Sequence, residues 1–135
     1  MALHLELATP TRRAVSEEVD EVVVPGLDGY FGVLPGHAAF LTTLGAGELM
    51  YRQGRQERYL AVNGGFAEVR NDKMIILADT AERPEEIDRQ RAERARERAE
   101  LRLSGRSQDD IDFARASAAL ARALARLQVA SRPSG

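Results

Sequence analysis

Leu3, Leu5 and Leu7 alternate with His4, Glu6 and Ala8, the period of a strand that buries one face. Thr9-Pro10 ends that run. Arg12 to Glu17 has the composition of a short second strand, and the β-branched run Val19 to Val24 is cut off by Pro25-Gly26. Pro25 to His37 holds four glycines and two prolines in thirteen residues, which demands tight turns and excludes a helix. A short strand around Tyr30–Val33 fits between those turns. Further strands are predicted at Phe40–Thr43 and Gly47–Arg52, the latter closed by the turn Arg52-Gln53-Gly54-Arg55. In Gln56 to Asn63, Tyr59, Ala61 and Asn63 share one face and Leu60 and Val62 the other. Gly64-Gly65 is expected to break the chain there. Phe66–Arg70 and Lys73–Asp79 flank Asn71-Asp72, a two-residue hairpin turn. About eight to ten short strands with such turn spacing predict a β-sandwich or flattened barrel over residues 1–82.

The pattern changes at Glu82. Arg83-Pro84 opens a helix, with Glu85 and Glu86 suited to its positive end. Neither Gly nor Pro occurs from Glu85 to Leu103. At about 100° per residue, Ala92, Ala95, Ala99 and Leu103 form a narrow apolar stripe. Arg91, Arg94, Arg98 and Arg102 run beside it, and Glu86, Glu93, Glu97 and Glu100 lie opposite. An alanine stripe permits close packing but buries little area. Ser104-Gly105-Arg106-Ser107 breaks this helix, and Ser107 with Asp110 resembles a capping box. A second helix runs to about Val129, with Phe113, Leu120, Leu124 and Leu127 on its expected apolar face and Arg115, Arg122 and Arg126 opposite. So short a connection predicts an antiparallel helical hairpin over residues 83–135.

Composition narrows the function. The chain has 135 residues and no cysteine, so disulfides, thiolate metal sites and Cys nucleophiles are excluded. No apolar run approaches the roughly 18 residues that cross a bilayer, and the N-terminus lacks the pattern of a signal peptide. Residues 1–82 carry seven Lys and Arg against twelve Asp and Glu, whereas residues 83–135 carry twelve Arg against nine Asp and Glu. Lys73 is the only lysine. The Arg excess suits fork-shaped contacts to carboxylates and phosphates, and a compositional bias accounts for it equally well. The tail's small positive balance argues against duplex nucleic acid as a partner.

His4 and His37 have no second ligand at metal-binding spacing. His37, in a Pro-Gly turn, reads as a solvated turn residue or a partner contact. Phosphate loops, dinucleotide fingerprints and nucleophile–His–acid sets are missing, so the chain is expected to do no bond chemistry. The Arg stripes have two readings. One is helix-surface ion pairs such as Glu85 with Arg89. The other is a folded hairpin that presents Arg91, Arg98, Arg122 and Arg126 to one anion, with Asp88 and Ala92 on the same helix face as Arg91.

Several linked motifs carry a resemblance. Pro25-Gly26-Leu27-Asp28-Gly29, Gly32-Val33-Leu34-Pro35-Gly36-His37-Ala38, Ala61-Val62-Asn63-Gly64-Gly65-Phe66-Ala67-Glu68-Val69 and Ile76-Leu77-Ala78-Asp79 resemble the epsilon subunits of bacterial F-type ATP synthases, in order and over the whole chain. The resemblance implies a non-catalytic central-stalk subunit on the cytoplasmic face of the inner membrane. Its β-domain would bind the gamma subunit and rest on the membrane rotor ring, coupling proton-driven rotation to ATP synthesis. Leu27, Asp28, Tyr30, Leu34 and His37 are the partner contacts it suggests. The hairpin would extend towards the catalytic head subunits to inhibit ATP hydrolysis. Some bacterial members bind ATP on the folded hairpin through (Ile/Leu)-Asp-x-x-Arg-Ala, which Ile87-Asp88-Arg89-Gln90-Arg91-Ala92 matches. Glu82, Arg98, Arg122 and Arg126 match further nucleotide-binding positions. ATP is thus implied as a regulatory ligand and not as a required cofactor. The competing expectation is a freestanding β-sandwich binding module that dimerises through Phe113, Leu120, Leu124 and Leu127.

Overall fold

The computed structural model describes residues 2–105 and 110–134. Eight strands come first: β1 Leu3–Ala8, β2 Arg13–Val19, β3 Glu21–Gly26, β4 Gly29–Val33, β5 Phe40–Thr43, β6 Gly47–Gln53, β7 Gln56–Arg70 and β8 Lys73–Glu82. A 3-10 turn at Pro84–Glu86 leads to helices α1 Arg89–Ser104 and α2 Asp110–Ala130. The strands follow the order β2-β1-β8-β7-β6-β3-β4, and β5 pairs with β7. All pairings are antiparallel except β1 with β8. The architecture is the expected β-sandwich followed by two helices. The proposed capping box at Ser107 lies outside the described residues.

The alternation in β1 does what its period requires: Leu3, Leu5 and Leu7 are fully buried and face Val15, Val19, Val22, Val24, Leu49, Tyr51, Met74 and Ile76 in one aliphatic core. Asn71 and Asp72 both adopt positive φ, 50° and 58°, the backbone that a tight two-residue hairpin needs.

Gly64-Gly65 does not break the chain. β7 continues through both residues for fifteen in all, and its register with β8 holds from Ala61↔Glu82 to Arg70↔Lys73. What changes is the inward face. Leu60 and Val62 are buried before the glycines, and Ala67 and Val69 after them. Gly64 and Gly65 have φ of +67° and +97°, and a Cβ on Gly65 would strike the Leu77 carbonyl. The pair therefore bends the ribbon, so that one strand serves two sides of the core. Its first half pairs with β6 and its second with β5.

Two helical expectations also need correction. The first helix begins at Arg89, not at Glu85, because Asp88 is its N-cap and Pro84–Glu86 forms a separate 3-10 turn. Glu86 therefore serves that turn, its side chain accepting from the Arg83 N–H at 2.8 Å. In α2, Phe113 and Leu124 are exposed, while Ala116, Ala123, Ala125 and Val129 are buried. Helix α2 is sandwiched, packing on α1 and on β6 and β7. Two neighbours at short range demand small residues on both sides, and the expected face of Phe113, Leu120, Leu124 and Leu127 is not its buried face. On α1 the predicted stripe holds, with Ala92 and Ala99 buried.

Candidate functional site

After the 3-10 turn the backbone returns to an extended form at Ile87 and Asp88. The Asp88 carboxylate accepts from the Arg91 N–H at 3.1 Å, satisfying one of the free donors of the helix start. Asp88 is thus a cap above Arg91 and not its neighbour on a helix face. Between the start of α1, the end of β8 and α2 lies a cavity of 390 Å³, lined by Glu82, Glu86, Asp88, Arg91, Ala92, Ala95, Arg98 and Arg126. That size falls within the roughly 300–1,000 Å³ of small-molecule sites.

Six candidate residues meet here: Glu82, Asp88, Arg91, Ala92, Arg98 and Arg126. Arg122 lines a smaller adjoining pocket that shares Glu82 and Arg126. Ile87 is half-buried and does not line the cavity. Sequence reasoning missed Glu86 and Ala95 as lining residues. Ala95 lies three residues beyond Ala92 in the predicted stripe, so helical spacing held that signal. Glu86 held none, because its position depends on a residue seventy-four places earlier.

That residue is Arg12. It clasps the Glu86 carboxylate with both terminal nitrogens, each at 2.8 Å, and donates to the Ala81 carbonyl at 3.1 Å. The Arg12 hydrogen bond holds the Glu86 carboxyl below the usual carboxylate range, with help from the Arg83 N–H and against the effect of burial. The same contact raises Arg12. Arg83 donates to the Tyr51 hydroxyl at 3.3 Å and the Ala14 carbonyl at 3.1 Å, and Pro84 is buried. The linker is therefore fastened to the β-domain as far as Glu86.

Arg126 donates to Glu82 at 2.6 Å. By contrast, among the described residues Arg91 and Arg98 have no carboxylate partner. Two guanidiniums without a carboxylate partner, Arg91 in the first turn of α1 and Arg98 about two turns on, favour an anion. Glu82 and Asp88 add acceptors, and Ala92 and Ala95 leave room for a flat group. The charged lining thus sets three carboxylates, Glu82, Glu86 and Asp88, against three guanidiniums, Arg91, Arg98 and Arg126.

Comparison with known proteins extends this picture to the whole chain. Residues 2–84 match the ATP synthase delta/epsilon chain β-sandwich domain, and residues 85–131 the long α-helix domain of the same chain. The chain belongs to the ATP synthase delta/epsilon family. Relatives include the ATP synthase epsilon chains of Syntrophobacter fumaroxidans, 52% identical over 96% of both chains, and of Geobacter metallireducens, 51% identical over 96% of this chain and 94% of the relative. In a Euglena gracilis mitochondrial ATP synthase assembly of OSCP, F1 and c-ring, one chain superposes with a TM-score of 0.81 at 25% identity, covering 97% of this chain and 82% of that one.

A second surface lies on the β-domain. Leu27, Tyr30 and Leu34 project from the Gly/Pro-rich segment at 67%, 58% and 52% exposure, and Asp28 is exposed beside them. His37 is half-buried, bonded through Nδ1 to the Ala38 carbonyl oxygen at 2.7 Å and edge-on to Phe40. It is therefore not a freely solvated turn residue. Sequence reasoning missed Leu41, Phe66 and Leu77, all exposed. The pairings Leu41↔Glu68 and Phe66↔Leu77 place all three on one face of β5, β7 and β8. The signal was the period of two: with Met74, Ile76 and Ala78 inside, Leu77 must point outward.

Proposed function

We propose that this chain is the epsilon subunit of a bacterial F-type ATP synthase, a non-catalytic part of the central stalk that couples proton-driven rotation to ATP synthesis. The β-domain binds the gamma subunit and the rotor ring through its exposed apolar residues, since Leu41, Phe66 and Leu77 lie exposed on one sheet face and clustered exposed apolar side chains mark an interaction surface. The chain itself holds no membrane-crossing helix among the described residues, and it attaches peripherally, on the cytoplasmic face, through those partners.

The helical hairpin regulates. Docked, as described above, it forms the cavity; extended towards the catalytic head, it inhibits ATP hydrolysis. ATP binds between Arg91, Arg98 and Arg126, with Asp88 and Glu82 as acceptors. The observation that carries this reading is the cavity's composition: residues from β8, α1 and α2 converge only while the hairpin is docked. A ligand shifts a conformational equilibrium by its differential affinity for the two states. A site that exists in one state alone gives ATP that leverage. Titration with ATP is expected to move the backbone resonances of Asp88 and Arg91, and no movement at millimolar ATP removes the nucleotide from the scheme. Deletion of residues 88–135 keeps the Arg12–Glu86 clasp and is expected to raise the ATPase activity of the assembled enzyme. Failure to assemble would place the gamma-binding surface in the wrong half.

A further inference from the structure

The far end of the hairpin is held by a second set of contacts, away from the cavity. Glu48, second residue of β6, is 9% exposed and is the one charged side chain in the buried class among the described residues. Its two oxygens accept from Arg132 Nε at 2.8 Å and Nη2 at 2.9 Å, and Oε1 also accepts from Gln128 Nε2 at 3.2 Å. The Arg132 guanidinium lies over the Tyr59 ring, 4.5 Å from its centre. Arg132 stands just beyond the end of α2, more than a helical turn past Arg126. None of Glu48, Tyr59, Gln128 and Arg132 lines the cavity.

Each contact alone is modest, but together they fix Arg132 in one pose. The fork geometry satisfies both carboxylate oxygens, and the ring adds an attraction that needs no third charge. Glu48 lies on the face of β6 that α2 covers, so departure of the hairpin would exchange all three of its side-chain donors for water. Small-residue seams on α1 and α2 give the hairpin little apolar area to hold it, so polar contacts weigh heavily in its docking.

We propose that Glu48 and Arg132 form a latch on the docked hairpin that works independently of the nucleotide cavity. Emptying the cavity removes the anion that Arg91, Arg98 and Arg126 would share but leaves the C-terminal end fastened. Release requires both an empty cavity and an opened latch, so the subunit reads two inputs and not one. The inference rests on the reading of the hairpin as a regulator that undocks.

Amide hydrogen exchange on the full chain tests it. In the unaltered protein without ATP, α2 amides near Val129 are expected to exchange through hairpin opening, faster than β7 amides of the core. Arg132→Gln and Glu48→Gln are each expected to raise the α2 rate about tenfold, with β7 unchanged and without loss of the ATP-induced shifts at Arg91. The double variant is expected to match either single one, because both remove the same contact. Added salt at about 0.5 M should speed α2 exchange more in the unaltered protein than in Arg132→Gln, which keeps only the Glu82–Arg126 pair. Equal α2 rates in all forms, or fully additive effects, overturn the latch. If α2 and β7 in the unaltered protein exchange at one common rate, the hairpin does not undock by itself, and that outcome overturns the underlying reading whatever the variants do.

Discussion

The β-domain and the hairpin bury apolar residues by opposite means. In the β-domain the fully buried positions include Leu3, Leu5, Leu7, Leu49, Tyr51, Leu60, Met74 and Ile76, large side chains that each contribute about 1.5–3 kcal/mol on burial. In the hairpin the buried apolar positions among the described residues are Ala92, Ala99, Ala116, Ala123, Ala125 and Val129. A methyl group offers a fraction of that, so alanine helices approach closely while releasing little free energy. The hairpin makes up the difference with the Glu82–Arg126 and Glu48–Arg132 pairs, contacts that a ligand, a salt or a partner can exchange. One region is held by apolar burial, the other in larger part by polar contacts.

Three perturbations break or sharpen this contrast. The largest effect is expected from Gly65→Val, which puts a branched side chain at φ +97° against the Leu77 carbonyl. Strain at such a position costs on the order of 1–3 kcal/mol before the clash is counted, and circular dichroism should report loss of the β-domain with the hairpin lost alongside it. A folded Gly65→Val would show that the bend in β7 is dispensable.

Next come two substitutions made in parallel. Leu5→Ala is expected to destabilise the β-domain by about 2–5 kcal/mol. Ala99→Leu is expected to cost about 1–3 kcal/mol by overpacking, confined to hairpin docking. Hydrogen exchange resolves the two: the first should raise rates in both regions, the second in α1 and α2 alone. If Ala99→Leu also loosens β7, the two regions fold as one and the contrast fails.

The smallest effect concerns the linker. Glu86 titrates below its unfolded value of about 4.3, so its contribution is present above that pH and is lost as pH falls through the lower folded value. Both partners are more than a third exposed, which limits the clasp to about 1 kcal/mol or less. Melting between pH 3 and pH 6 should show this slope, and Arg12→Ala should flatten it.

Much of the β-domain was legible because alternation and turn chemistry are local: Leu3, Leu5 and Leu7, the strand at Phe40–Thr43 and the Asn71-Asp72 turn all follow from neighbours in sequence. The helix start was not, because Pro84, Glu85 and Glu86 give the same signal for a 3-10 turn as for a helix N-terminus, and the choice fell to Asp88 and to Arg12. The inward face of α2 was hidden for a different reason. Leucine marks a helix that buries one side, whereas α2 is enclosed on two and needs alanine on both. The cavity's Arg91, Ala92 and Arg98 were legible from spacing within α1. The ion pairs between hairpin and β-domain were not: Arg126 and Glu82 stand forty-four residues apart, Arg132 and Glu48 eighty-four, and no periodicity reports contacts at that separation.

The fifteen-residue strand β7 has a mechanical corollary. Its Ala61–Asn63 portion lies beneath α2, and beyond the two glycines it carries the exposed Phe66. The exposed face around Phe66 and the footing of the hairpin are thus joined by one continuous, hydrogen-bonded backbone, with no relay of side chains between them. Gly64-Gly65 set the angle between the two ends.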